Sequence, residues 1–358
     1  MKAAEAKNIR RVVVRGANWV GDAVMTVPAL RALRGLFPQA HIALASRRGT
    51  ADIFIDADFV DEVLIFERSG PGAVWNQTRE WRRRRFDLAV LFQNAFEAAA
   101  IAFLARVPMR AGYAADHRAL LLTHPIALPS WKDERHESFY YLNIVAELEK
   151  LMQGTSSIKM AEPQFHLDVS AQRREQAWQL LQKQGARVGA PIVLLCPGSI
   201  NSRAKRWPVE NYAALGDRFI EQGANVVLIG SAAEVDVSHQ VCANMRQQPI
   251  VLTGKTTVAE VTAAIGIADV LVTNDTGPAH IGSAVKAPTL VIFGPTNPRT
   301  TYPFSATAEM IRHPPDCAPC MLRDCPIDHR CLTAITPAEV FERARALMRA
   351  REHASVIV

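Results

Sequence analysis

Short runs of β-branched and aliphatic residues alternate along this chain with longer stretches in which apolar residues recur at helical spacing. The first run, Arg11–Arg15 (RVVVR), precedes a helical pattern over Asp22–Leu36, and His41–Ala45 (HIALA) follows, so the chain begins as a strand–helix–strand unit. Further strands are predicted at Glu62–Phe66 and Asp87–Phe92, and an aromatic-rich helix at Glu137–Leu151. Residues Gln153–Gln164 (QGTSSIKMAEPQ) are polar, contain Gly and Pro and keep no period, which reads as an interdomain linker. A second series runs through Ile192–Cys196, Asn225–Ile229, Val270–Thr273 and Thr289–Phe293, and ends in a helix near Pro337–Ala350. Strands this short and apolar are buried on both faces, as in parallel sheets covered by helices.

The pattern predicts an α/β protein of two doubly wound, Rossmann-like domains facing across a cleft, residues 1–165 and 166–358, with the last helix packing back on the first domain. A length of 358 residues agrees, because a single core seldom grows beyond about 250–300 residues. Ligands in such folds bind beyond the carboxyl ends of the strands, so the informative motifs are those that directly follow strands.

Composition narrows the picture only a little. Hydrophobic residues at 49% and charged residues at 21% are ordinary globular usage and exclude a disordered chain. The charged stretch Met1–Arg11 lacks the apolar run of a secretory signal, and no segment reaches the roughly 18 uninterrupted apolar residues of a membrane span, so the expected location is the cytoplasm. A formal net charge of +6 suits an acidic partner without choosing among nucleotides, anionic lipid and nucleic acid, and no nucleic-acid-binding module is recognisable.

Gly16–Ala23 (GANWVGDA) follows the first strand and opens a helix. Its spacing imitates a phosphate-binding P-loop, but Asp22 stands where that loop needs lysine and Ala23 where it needs the magnesium-binding hydroxyl. A carboxylate there repels phosphate, which disfavours nucleotide hydrolysis and kinase chemistry. Two readings stay open: a general base at the mouth of the cleft, or a helix N-cap. In the second domain, Pro197–Pro208 (PGSINSRAKRWP) places Arg203, Lys205 and Arg206 in a loop after a strand. Fixed cations there would stabilise the charge on a departing diphosphate, the plainer alternative being a solvated basic loop.

Asn274–His280 (NDTGPAH) again links a strand to a helix. Pro278 suits the first helical turn, and the N–H groups of Thr276, Gly277 and Ala279 would face an anion that the helix dipole favours. His280 lies inside that turn, touching ligand or filling core. Gly294–Thr296 would form a neighbouring wall, and Glu234, just beyond another strand, either binds ribose hydroxyls or complements a helix dipole.

Asp56-Ala57-Asp58 has the D-x-D form by which many glycosyltransferases hold a divalent metal, but it sits in an acidic stretch before a strand, away from the cleft, and reads as a solvated loop. Four of the six cysteines, Cys317, Cys320, Cys325 and Cys331, have C-x2-C-x4-C-x5-C spacing. Four thiolates so near could make a tetrahedral zinc site, although the second pair lacks the usual two-residue knuckle; with zinc or as free thiols, a structural clamp on the loop before the last helix is the expected role. The run Arg82–Arg85, beside Trp75 and Trp81, either faces anionic lipid or is a solvated helix end.

Taken in order, Asn18–Met25, Ala204–Pro208, Asn274–Gly277 with His280, Gly294–Thr296 and the cysteine-rich tail resemble glycosyltransferase family nine, the ADP-heptose:lipopolysaccharide heptosyltransferases, over nearly the whole chain. The resemblance implies a GT-B fold and inverting transfer of L-glycero-D-manno-heptose from ADP-heptose to heptosyl-Kdo-lipid A in lipopolysaccharide inner-core biosynthesis, with no metal or other cofactor required. It implies Asp22 as the base, Lys205 as the group that neutralises the leaving diphosphate, Asp275 as a contact to the heptose, and Thr276 and Gly277 as the diphosphate turn. Glu234 would hold the ribose and His280 would add a donor contact. The first domain would bind acceptor and the second donor, in peripheral contact with the cytoplasmic face of the inner membrane. A GT-B nucleotide-sugar epimerase and a family-nine transferase with another acceptor are the alternatives.

Overall fold

The computed structural model describes residues 9–66, 72–161, 163 and 165–356; residues 1–8 of the charged N-terminus, and 162 and 164 of the expected linker, lie outside the described residues. The chain divides into two compact units, Met1–Leu167 and Asp168–Val358. The first holds strands β1 (Arg11–Arg15), β2 (His41–Arg47), β3 (Glu62–Phe66), β4 (Leu88–Leu91), β5 (Met109–Tyr113) and β6 (His124–Ile126), in the order β3-β2-β1-β4-β5-β6. The second holds β7 (Ile192–Cys196), β8 (Asn225–Leu228), β9 (Ile250–Val251), β10 (Val270–Asn274), β11 (Thr289–Phe293) and β12 (Ala308–Arg312), in the order β12-β11-β10-β7-β8-β9. All neighbours are parallel.

Numbered within its own unit, each sheet has the order 3-2-1-4-5-6 of doubly wound dinucleotide-binding folds. The chain winds outward from β1 to β3 and then crosses to start again at β4, which lies beside β1. Connections therefore leave these two strands on opposite faces, and a crevice opens beyond their carboxyl ends; β7 and β10 repeat the arrangement. The central strands sit in the core, with Val12–Val14 and Val193–Leu195 at 0% exposure, which is why they read as unbroken apolar runs.

β5, β6, β9 and β12 escape the hydrophobic pattern. β5 (MRAGY) mixes Arg and Gly into its apolar residues, while the other three are sheet edges that are short or half polar and so carry little apolar signal. The helix expected over Asp22–Leu36 is two helices, Val20–Met25 and Val27–Leu36, that meet at Thr26. Pro28 explains the break: it has no N–H and its ring crowds the carbonyl four residues earlier, so it belongs in the first turn of a new helix. Helix Pro337–Val356 packs in the second unit against helix Val209–Glu221 and strands β10 and β11, with Val340, Phe341 and Ala344 in that core.

Candidate functional site

In the first unit, the loop beyond β1 leads into helix Val20–Met25. Its N-cap is Trp19, in extended conformation with its ring 54% exposed, and no side chain caps the helix. Asp22 is in the first turn. The N-cap reading of Asp22 is thus corrected: extended backbone at Trp19 starts the helix earlier, and the carboxylate projects from inside the first turn. Helix Glu137–Gln153 packs against this one, and Glu137 stands in its own first turn.

Burial and the nearby negative charge of Asp22 push the Glu137 carboxyl up to about 7, with Lys132 opposing. No motif marks Glu137; its only signal is position in the first turn of an aromatic helix. Because its folded pKa lies above the unfolded value of 4.5, stability is fully present below that pH and is lost as pH rises toward 7. Glu137→Gln is therefore expected to leave stability at pH 4.5 unchanged and to raise it at pH 8 by on the order of 2–3 kcal/mol. Urea unfolding at the two pH values measures this, and an equal change at both would mean that ionisation of Glu137 does not control it.

Two buried arginines brace the other lip of the crevice, beyond β4. Arg15, 2% exposed, donates to Gln77 at 3.0 Å and Gln93 at 3.2 Å, lies 3.8 Å from Glu97, and stacks 3.4 Å from the Phe66 ring centroid. Arg118, 0% exposed, donates to the Tyr113 carbonyl at 2.8 Å, to Asn94 Oδ1 at 3.1 Å and to the Gln93 carbonyl. Burial lowers Arg118 to about 10, so it keeps its charge at neutral pH. The same brace includes Tyr140, whose hydroxyl accepts from Asn94 at 2.8 Å.

In the second unit the two loops of the switch point are tied by Asn274, the last residue of β10, which is 0% exposed. Its Oδ1 accepts from the Trp207 N–H and the Tyr212 hydroxyl, each at 3.1 Å, and its Nδ2 donates to the Pro197 and Gly198 carbonyls at 2.9 and 3.1 Å. Trp207 is itself fully buried and donates to the Ile335 carbonyl at 2.9 Å, so it anchors the basic loop from beneath.

Lys205 then reaches Asp275, with Nζ 3.0 Å from Oδ2 and 3.1 Å from the carbonyl, and Thr296 donates to the same Oδ2 at 2.6 Å. Asp275 is 3% exposed, and among the described residues its Oδ1 accepts no hydrogen bond. Arg206 donates to the Ser199 carbonyl at 2.9 Å and Arg203 pairs with Asp324 at 2.6 Å, so all three cations of the loop are held in place.

Thr276 is the extended N-cap of helix Gly277–Ala284, and Pro278 sits in the first turn. The Gly277 N–H at the first helical position has no intrahelical acceptor, as an anion cradle requires. Ala279 departs from expectation, since its N–H is taken by the Thr276 carbonyl at 3.0 Å. The turn closes on itself one residue earlier than an open cradle would. His280 is 4% exposed; burial lowers its pKa and Lys205 adds to this against the opposing charge of Asp275, which keeps the ring neutral.

Glu234, 7% exposed, accepts at Oε2 from the Ser231 N–H and hydroxyl, both at 2.8 Å, so the helix-start role is realised. Its other oxygen packs on Gly198, where a Cβ would lie 2.1 Å from Oε1. Gly198→Ala is expected to displace this carboxylate and, if Glu234 holds a ribose, to weaken ADP binding roughly 10-fold or more. Calorimetry decides it, and unchanged affinity removes Glu234 from the nucleotide site.

The cysteine-rich segment clasps both loops of this site. The Met321 N–H donates to the Pro295 carbonyl and the Ala204 N–H to the Arg323 carbonyl, each at 2.9 Å, while Cys331 and Leu332 pack against Gly294. All six cysteines are free thiols, and among the described residues no three His, Cys, Asp or Glu side chains are grouped to share a metal ion. Asp58 of the D-x-D triplet is exposed and pairs with Arg31 at 3.1 Å.

Two doubly wound units with polar loops at both switch points are the GT-B architecture, shared with a solved heptosyltransferase. The chain belongs to glycosyltransferase family 9 (heptosyltransferase), whose model matches residues 74–330. It is 29% identical to lipopolysaccharide heptosyltransferase 2 of Escherichia coli K12, covering 96% of this chain and 99% of that one. The lipooligosaccharide heptosyltransferase 2 of Haemophilus influenzae is likewise 29% identical, over 84% of this chain and 88% of the relative. Among solved structures, the ADP-heptose lps heptosyltransferase II of E. coli superposes with a TM-score of 0.82 at 26% identity, covering 96% of this chain and 100% of that one.

Proposed function

We propose that the protein transfers a heptose from ADP-heptose to a heptosyl-Kdo-lipid A acceptor with inversion at the anomeric carbon, in lipopolysaccharide inner-core biosynthesis. The observation that carries this reading is the cluster of Lys205, Asp275 and Thr296 beside the N-terminus of helix Gly277–Ala284, at the switch point of the second unit. Relatives named as heptosyltransferase 2 over nearly the whole chain support the substrate class.

In this reading Asp22 takes the proton of the acceptor hydroxyl as its oxygen attacks the anomeric carbon. The bond from that carbon to the diphosphate oxygen breaks, and ADP departs with the electron pair. Lys205, Arg206 and the N–H groups of Thr276 and Gly277 meet the charge that develops on the leaving oxygen. Asp275 is held by Lys205 and Thr296 so that Oδ1 addresses a heptose hydroxyl, with Glu234 on the ribose and the neutral His280 packing behind the turn. Because protein cations serve the leaving group, no divalent ion is required.

Incubation with ADP-heptose and acceptors truncated one sugar at a time, with and without EDTA, tests the proposal. One added heptose on the heptosyl-Kdo acceptor, undiminished by EDTA, is expected. Epimerised donor in the absence of acceptor, or transfer only to a different truncation, overturns the assignment.

A further inference from the structure

The basic run Arg82–Arg85 is sorted by the helix that carries it, Ala73–Arg84. Trp81 is 2% exposed and belongs to the core, so it is no surface anchor. Arg83 pairs with Glu80 at 2.9 Å, and Arg84 pairs with both Glu80 and Glu62 at 2.6 Å. These two charges are satisfied within the fold. Trp75, Arg79 and Arg82 recur at the spacing of one helical face, and they line a groove of about 520 Å³ whose other wall is Phe103, Leu104 and the turn from Arg106 to Arg110.

Three large apolar side chains stand open there: Trp75 is 61% exposed, Phe103 47% and Leu104 49%. No Asp or Glu lines the groove, and Arg79, Arg82 and Arg106 make no ion pair among the described residues. Arg110 lies 5.5 Å from the Phe103 ring centroid and so holds one of the apolar groups in place.

We propose that this groove docks the protein on an anionic lipid leaflet. Unpaired arginines beside exposed tryptophan, phenylalanine and leucine match the lipid–water boundary, where an aromatic ring and an aliphatic chain enter the interface while guanidinium groups meet the headgroup charges. An extended acidic peptide fits less well, because β5 beside the groove is paired on both sides and offers no open strand edge. Among the described residues no helix is long and apolar enough to cross a membrane, so surface contact is the mode left to these helices. The inference deepens the proposed function by bringing the enzyme to a lipid-linked acceptor, but its test does not depend on turnover.

Co-sedimentation of the whole protein with vesicles of phosphatidylglycerol and phosphatidylethanolamine is expected to show binding that weakens with salt and is absent on phosphatidylcholine. Each exposed cation near such a surface contributes about fivefold, so a variant combining Arg79→Gln, Arg82→Gln and Arg106→Gln should lose on the order of 100-fold in partitioning. Trp75→Ala should weaken binding separately, at any salt concentration. Turnover of both variants on a deacylated, soluble acceptor is expected to match the wild type, which also reports that they fold. A wild type that stays off anionic vesicles overturns the proposal and leaves the groove to a protein partner. Variants that bind as well as wild type, or equal binding to phosphatidylcholine, also overturn it. Failure of heptose transfer with intact vesicle binding would sink the proposed substrate and leave the docking surface standing.

Discussion

Asp22→Asn is expected to lower kcat by about 10²–10⁴-fold, the usual contribution of a positioned general base, while leaving ADP affinity unchanged. The substitution keeps the shape of the side chain in the first turn of helix Val20–Met25 and removes only its capacity to take a proton. ADP affinity is the control, because the proposed nucleotide site is built wholly from the second unit. The change has a second consequence, since the charge of Asp22 is, after burial, the largest influence that raises Glu137. With that charge gone, the Glu137 carboxyl should ionise at lower pH, visible as a shift in the pH dependence of stability. Initial rates by ADP release and binding by calorimetry measure the first effect. Turnover near the wild-type value would show that another group is the base, and Glu137 would be the first to test.

Lys205→Met is expected to act twice. Removing one preorganised charge from a developing anion costs about 10²–10³-fold in kcat. Asp275, 3% exposed, then loses its partner, and an uncompensated buried carboxylate destabilises by about 3 kcal/mol, the lower end of the range because Lys205 itself is 25% exposed. Thr296 alone cannot replace the lost charge. Combining Lys205→Met with Asp275→Asn separates the two effects, since the double variant no longer buries an unpaired charge. Its stability to urea should recover most of the loss while its turnover does not. A double variant as unstable as Lys205→Met alone would show that the pair is not what holds the loop.

The strands β1, β2, β4, β7, β8, β10 and β11 were legible from the chain alone, because a strand buried on both faces must be apolar without interruption, and the edge strand β3 was legible from its own apolar run. So was the placement of motifs just after strands, and the likeness of five short segments in fixed order to family 9 supplied the fold and the enzyme class. These are local properties: a run of Val and Leu, or an aspartate replacing the lysine of a phosphate loop, is read within a few residues of itself.

Only the tertiary structure decided what each polar residue does. Lys205 and Asp275 are 70 residues apart and meet because β10 lies beside β7, an adjacency set by strand order that no spacing encodes. Asn274 looked like part of a ligand motif and is the buried staple between two loops; Asp22 looked equally like a cap and stands inside the first turn. The four consecutive arginines at Arg82–Arg85 were one feature in the sequence. The helix divides them by angle, giving Arg83 and Arg84 to carboxylates and Arg82 to an open groove. Charge and polarity are written in the chain, but whether a charge is paired, buried or exposed depends on which neighbours the sheet order brings to it.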